Sequence, residues 1–185
     1  VKNIIMCTPP MDDGSVYYTT LATAKIIGID TIYKVGGAQA IAAMAYGTES
    51  ITKVNKIVGP GNIYVALAKK QVYGYVGIDM VAGPSEVLVI ADDSAQANYV
   101  AADLLSQAEH DPMAAAILIT TSKDLANQVS IEVKKQITNL KDTKRNAEAS
   151  IENNSGIIIV SDIEEGIQIS NQIAPEHLEL AVKNP

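Results

Sequence analysis

Short runs rich in Ile and Val alternate along this chain with longer windows whose apolar residues recur at helical spacing. Few architectures satisfy both periods. Apolar strands buried on both faces need helices to cover them, which makes βαβ units and a mostly parallel sheet. Strands are predicted at 4–7, 31–35, 86–91, 115–120, 156–160 and 178–182. Helices are predicted at 16–27, 38–46, 63–73, 95–108, 123–139, 142–152 and 164–172. The fold class is therefore α/β, with mostly parallel sheets flanked by helices. A Gly/Pro-rich stretch at 81–85 predicts a boundary between two halves, 1–83 and 84–185.

Composition excludes several function classes. The chain is 48% hydrophobic and 19% charged, which is globular rather than disordered. Its net charge of -7 and its lack of a Lys/Arg cluster argue against nucleic acid and against an anionic membrane surface. Lys134, Lys135, Lys141, Lys144 and Arg145 are interleaved with acids and amides and read as solvated helix faces. A single cysteine, Cys7, excludes an intrachain disulfide and a thiolate-rich zinc site. No apolar run is long enough to cross a bilayer and no leader pattern opens the chain, so a cytoplasmic compartment is expected. A chain that opens at Val1 inside a strand and stops at Pro185 just after another reads as an internal slice of a longer polypeptide.

The only two histidines each follow a glutamate, as Glu109-His110 and Glu176-His177. Imidazole moves protons near neutral pH and ligates transition metals. Both pairs lie where an apolar element meets a proline, on the loop side where α/β proteins place their chemistry. Gln107 and His110 are three apart on a predicted helix and share a face, a spacing that suits two metal donors, with Glu109 or Asp111 available to steady the ring. Glu176 and His177 follow Pro175 at the head of a strand. On extended backbone they point to opposite sides, either flanking a substrate or forming a polar turn. Glycine turns precede two helices, at Gly36-Gly37-Ala38-Gln39 and Gly59-Pro60-Gly61-Asn62. Each could lay backbone amides and a side-chain amide, from Gln39 or Asn62, against a phosphate. Neither is a nucleotide fingerprint, and glycine equally suits an ordinary strand-to-helix turn. Ser85 sits on a tight turn before a strand, the reverse of a nucleophile elbow, and reads as a ligand contact or a turn residue. Cys7 ends the first strand, as a small buried residue or as a thiol nucleophile.

Five ordered blocks make the pattern specific: VGGAQAIAAMAYG at 35–47, KIVGPGNIY at 56–64, IDMVAGPSEVLVIAD at 78–92, DLLSQAEHDP at 103–112 and NQIAPEHLEL at 171–180. With these blocks the chain closely resembles histidinol dehydrogenase over essentially its whole length. The resemblance implies Rossmann-like, aldehyde dehydrogenase-like halves, both incomplete: a first half (1–83) with NAD-contact loops and a second (84–185) with zinc and catalytic residues. It implies a zinc-containing, NAD-dependent enzyme that oxidises L-histidinol through L-histidinaldehyde to L-histidine with two NAD+, in histidine biosynthesis. Gln107 and His110 match zinc ligands that also touch the substrate, and Ser85 matches a substrate contact. Glu176 and His177 match the paired catalytic acid–base residues, which also face the substrate. Gln39 and Asn62 match positions that hold NAD.

The family chain is longer and works as a homodimer. An aspartate zinc ligand, a C-terminal Glu/His pair and an upstream NAD-contacting tyrosine belong to regions this sequence does not contain. With two of four zinc ligands, the 185 residues are expected to be inactive alone and to hold zinc weakly. Two other readings compete: an aldehyde dehydrogenase-like oxidoreductase with Cys7 as covalent nucleophile, and a non-catalytic α/β module.

Overall fold

The computed structural model describes residues 1–185, which divide into two compact units, Val1–Gly83 and Pro84–Pro185. The first contains β1 (Ile5–Cys7), α1 (Tyr18–Ile26), β2 (Thr31–Tyr33), α2 (Gly37–Tyr46), β3 (Lys56–Ile57), α3 (Ile63–Val72) and β4 (Gly77–Ile78). β1 pairs with β2 and β3 with β4, both in parallel. Helices α2 and α3 share a small core of Ile41, Ala45, Ile57, Val72 and Val76. The turn into α2 requires glycine: Gly37 has φ 72°, and a Cβ on Gly36 would lie 2.9 Å from the Pro9 side chain.

The second unit contains β5 (Glu86–Ala91), α4 (Ala97–Ala108), β6 (Ala115–Thr120), α5 (Lys123–Ile137), α6 (Lys144–Asn153), β7 (Gly156–Ile159), α7 (Ile163–Ile173) and β8 (His177–Ala181). Its four strands run parallel in the order β7-β6-β5-β8. Alternate residues of β5 feed two cores. Val87, Val89 and Ala91 meet Val100, Leu104 and Leu105 of α4 on one face, while Leu88 and Ile90 join Ile119 and Val160 on the other, with Ile163 and Ile169 of α7 packed against them. That division follows from chain direction. The sheet grows one way from β5 to β7 and then returns to β8, so right-handed crossovers put α4 on one side and α7 on the other. Ser122 and Asp162 cap α5 and α7 by accepting from the N–H groups of Leu125 and Glu165.

The fold class agrees with the sequence expectation, and strands 86–91 and 115–120 fall where the pattern puts them. Three differences bear on the site. β3 and β4 are two residues each, in stretches where the sequence predicts no strand. Helix α4 closes at Ala108, so His110 lies in a turn beyond it rather than on the helical face of Gln107. The last strand begins at His177, one residue early, because α7 ends in a left-handed Ala174 (φ 51°) ahead of Pro175.

Candidate active site and cofactor loops

In the second unit the chemistry gathers at the amino end of the sheet. Ser85 immediately precedes β5, the loop holding His110 leads into β6, and His177 opens β8. Register fixes their neighbourhood: Glu86 pairs with Ala115, and Val87 with His177. Ser85 and His177 are thus one strand apart and two residues offset, about 8 Å between Cα atoms. The Ser85 carbonyl accepts from the Ala115 N–H at 3.3 Å. Ligands of open α/β sheets usually bind outside the carboxyl ends of strands. Here the candidate residues lie at the opposite end.

Helix α4 completes the group. It runs antiparallel to β5 and β8, over the face to which His177 and Glu179 project. Glu179 lies against Asp103 of α4; desolvation first, and then the Asp103 charge, push the Glu179 carboxyl up. One turn on from Asp103, about 6 Å along the helix, comes Gln107. Two residues back from Glu179, about 6.6 Å along the strand, comes His177. The two displacements match, so Gln107 stands level with His177. Asp103 and Glu179 were not singled out in the sequence, although i−4 from Gln107 and i+2 from His177 were signals that pointed to them.

Glu176 and His177 do not point to opposite sides. Glu176 belongs to the turn rather than the strand, and its Oε1 approaches His177 Nε2 to 3.7 Å, with 55% and 58% of their side chains exposed. An imidazole beside a carboxylate, both open to solvent, can accept a proton and activate water. His110 is exposed and its backbone N–H donates to the Gln107 carbonyl at 3.1 Å. The residues expected to steady its ring do other work. Glu109 accepts from the Thr143 hydroxyl at 2.7 Å, and Asp111 accepts from the Met113 N–H at 2.8 Å. These bonds fix the 109–114 loop against α6 and within itself. A carboxamide and an imidazole are donors that zinc accepts, but two donors do not close a tetrahedral site, and no three His, Cys, Asp or Glu gather to hold a metal.

In the first unit, Gln39 lies in the first turn of α2, with Oε1 2.9 Å from where a Cβ on Gly37 would stand. Asn62 caps α3: its Oδ1 accepts from the Val65 N–H at 3.2 Å, which leaves Nδ2 free to donate. A Cβ on Gly61 would come within 2.5 Å of Val65 Cγ1, so only glycine fits beside the cap. Cys7 ends β1 as expected, but burial pushes its thiol up, away from the thiolate that a covalent nucleophile needs.

The histidinol dehydrogenase family model matches residues 1–185. Histidinol dehydrogenases of Lactococcus lactis and Bacillus cereus are each 58% identical to the chain over 185 residues, and that of Clostridium acetobutylicum is 56% identical. In each case all of this chain is matched, and it spans 43% of the relative's length. The crystal structure of histidinol dehydrogenase from Elizabethkingia anophelis superposes with a TM-score of 0.89 at 50% identity, covering 99% of this chain and 42% of that one. A match along every residue, carried by the same parallel α/β fold, leads to one conclusion: the chain belongs to the histidinol dehydrogenase family.

Proposed function

We propose that these residues are part of a cytoplasmic, homodimeric enzyme that oxidises L-histidinol through L-histidinaldehyde to L-histidine with NAD+. The observation that carries the reading is the convergence of Ser85, Gln107, His110, Glu176 and His177 at the amino end of one parallel sheet. His177 takes the proton of the alcohol and, in the second oxidation, that of the hydrated aldehyde. Glu176 draws a proton from the water that hydrates the aldehyde. Different surroundings let adjacent carboxylate and imidazole carry these separate tasks. Ser85, Gln107 and His110 bind and orient the substrate's polar groups. NAD+, when bound, accepts a hydride in each oxidation. Gln39 and Asn62 hold it, Asn62 through the amide nitrogen that its cap leaves free. Gln107 and His110 are the two zinc donors of this stretch, and the others belong to the remainder of a longer polypeptide. No membrane-bound role is part of this reading; no helix is long and apolar enough to cross a membrane.

The reading separates cleanly from the thiol alternative. In the whole polypeptide carrying these residues, Cys7→Ala is expected to leave L-histidinol oxidation within about twofold of the unaltered enzyme. Loss of aldehyde oxidation in that variant, with the alcohol step retained, would instead make Cys7 the nucleophile.

A further inference from the structure

The turn at 59–62 is held by an ion pair that none of the roles above uses. Lys69 of α3 is buried, 3% exposed, and its side chain reaches back toward the start of its own helix, the direction in which helical Cβ atoms lean. Its Nζ donates to the Gly59 carbonyl at 2.9 Å and pairs with Asp79 Oδ1. The other Asp79 oxygen, Oδ2, accepts from the Gly59 N–H at 2.8 Å. Both polar backbone groups of one glycine are therefore gripped, from opposite sides, by the two members of one ion pair. Gly59 has φ 124°, a conformation that side chains rarely adopt and glycine supplies; the grip selects it from the several that glycine allows.

The location gives the grip a purpose. Gly59 leaves β3 by its carboxyl end and Asp79 leaves β4 by its carboxyl end, where the Asp79 N–H still donates to Ile57 at 3.2 Å. Asp79 Oδ1 also accepts from the Met80 N–H at 2.8 Å, which anchors the carboxylate to its own strand end. At the far side of the turn, Asn62 is fixed by its cap on Val65. Between these anchors, the N–H groups of Gly61, Asn62 and Ile63 have no intramolecular acceptor. They are donors presented at a helix start, the arrangement that suits an anionic group of a ligand. Lys69 and the Gly59 and Met80 amides together hold the Asp79 carboxyl well below the usual carboxylate range, so the grip persists through neutral and mildly acid pH.

We infer that Lys69 and Asp79 are positioning residues: together they clamp Gly59 and hold the 59–62 turn in the shape that receives the dinucleotide. The clamp acts through the turn. It rests on the proposed dinucleotide role of Asn62. Lys69 is buried while Asp79 reaches solvent, so removal of Asp79 leaves a buried ammonium without its carboxylate, and removal of either partner frees the turn.

The test uses the whole polypeptide with Lys69→Met, Asp79→Asn and both together. NAD+ binding is measured by titration, together with KM for both substrates, kcat, and amide hydrogen exchange across 58–65. With folding confirmed by circular dichroism, each single variant is expected to weaken NAD+ binding by about tenfold to a hundredfold. kcat at saturating NAD+ should fall by less than about threefold, and KM for L-histidinol should stay put. The Gly59 amide should exchange faster. The double variant, which leaves no lone charge, should bind NAD+ no worse than either single one. Should Asp79→Asn fold poorly, the double variant alone keeps the test decisive, because an equal loss of NAD+ affinity there still requires the clamp. Unchanged NAD+ affinity and unchanged Gly59 exchange would overturn the inference and leave the dinucleotide role intact. If the unaltered protein binds no NAD+, the dinucleotide role fails instead; faster Gly59 exchange in the variants then supports the clamp, and unchanged exchange overturns it.

Discussion

In the whole polypeptide carrying these residues, replacing His177 by Asn is expected to lower kcat for the proposed L-histidinol oxidation by about a hundredfold to ten-thousandfold, the range that one positioned proton acceptor supplies. The change should fall on kcat rather than on affinity. Gln107 and Ser85 would still meet the substrate, and the β8 backbone keeps its pairing with β5 through Leu178, Glu179 and Leu180. Stability should hardly move. The His177 side chain is 58% exposed and its one close polar neighbour is Glu176 at 3.7 Å, a surface pair worth little. Steady-state kinetics and a thermal melt of the same preparation check both halves of the expectation. A variant that melts normally and turns over normally would remove His177 from the chemistry.

Leu118→Ala is expected to cost about 2–5 kcal/mol of unfolding free energy. Leu118 lies in the middle of β6, between β5 and β7, is fully buried, and belongs to the cluster that includes Val89, Leu104 and Val129. Strand neighbours on two sides and helices above prevent the surroundings from closing on the space, so the cavity persists. Leu178→Ala on β8 is the control. That side chain is 53% exposed, so the same chemical change should cost less than about 1 kcal/mol. Denaturant midpoints for the two variants measure the difference. Equal costs would mean that the sheet's centre does not carry the stability of the second unit.

Which parts of this molecule were legible in the sequence follows from how local each signal is. Residues 86–91 read as a strand because five of the six are buried apolar residues and a Gly-Pro turn precedes them. Residues 115–120 read as a strand for a similar reason, with the turn at Asp111–Pro112 ahead and a cap at Ser122 behind. Lys56–Ile57 and Gly77–Ile78 gave no signal, since two residues carry no period. The residue types of the candidate site stood out from their neighbours. Their meeting place did not, because it depends on β8 returning beside β5, and strand order is a long-range property. The candidate residues lie at the amino ends of these strands, whereas ligands of open α/β sheets usually bind outside the carboxyl ends. The clamp was invisible for the same reason: Lys69 and Asp79 lie on α3 and just after β4, and only the folded turn shows that both reach Gly59. Glu176 misled through a single residue, since a left-handed Ala174 and Pro175 keep it in the turn where the strand rule does not apply.

The most direct measurement is the number of NADH formed per L-histidinol consumed by the whole polypeptide, followed by absorbance to exhaustion of limiting substrate with zinc supplied. A ratio of two, with L-histidine as the product, is the predicted result, because one site must pass the aldehyde to its hydrate and oxidise again. A ratio of one, or no turnover, would contradict it and leave this fold with a different chemistry.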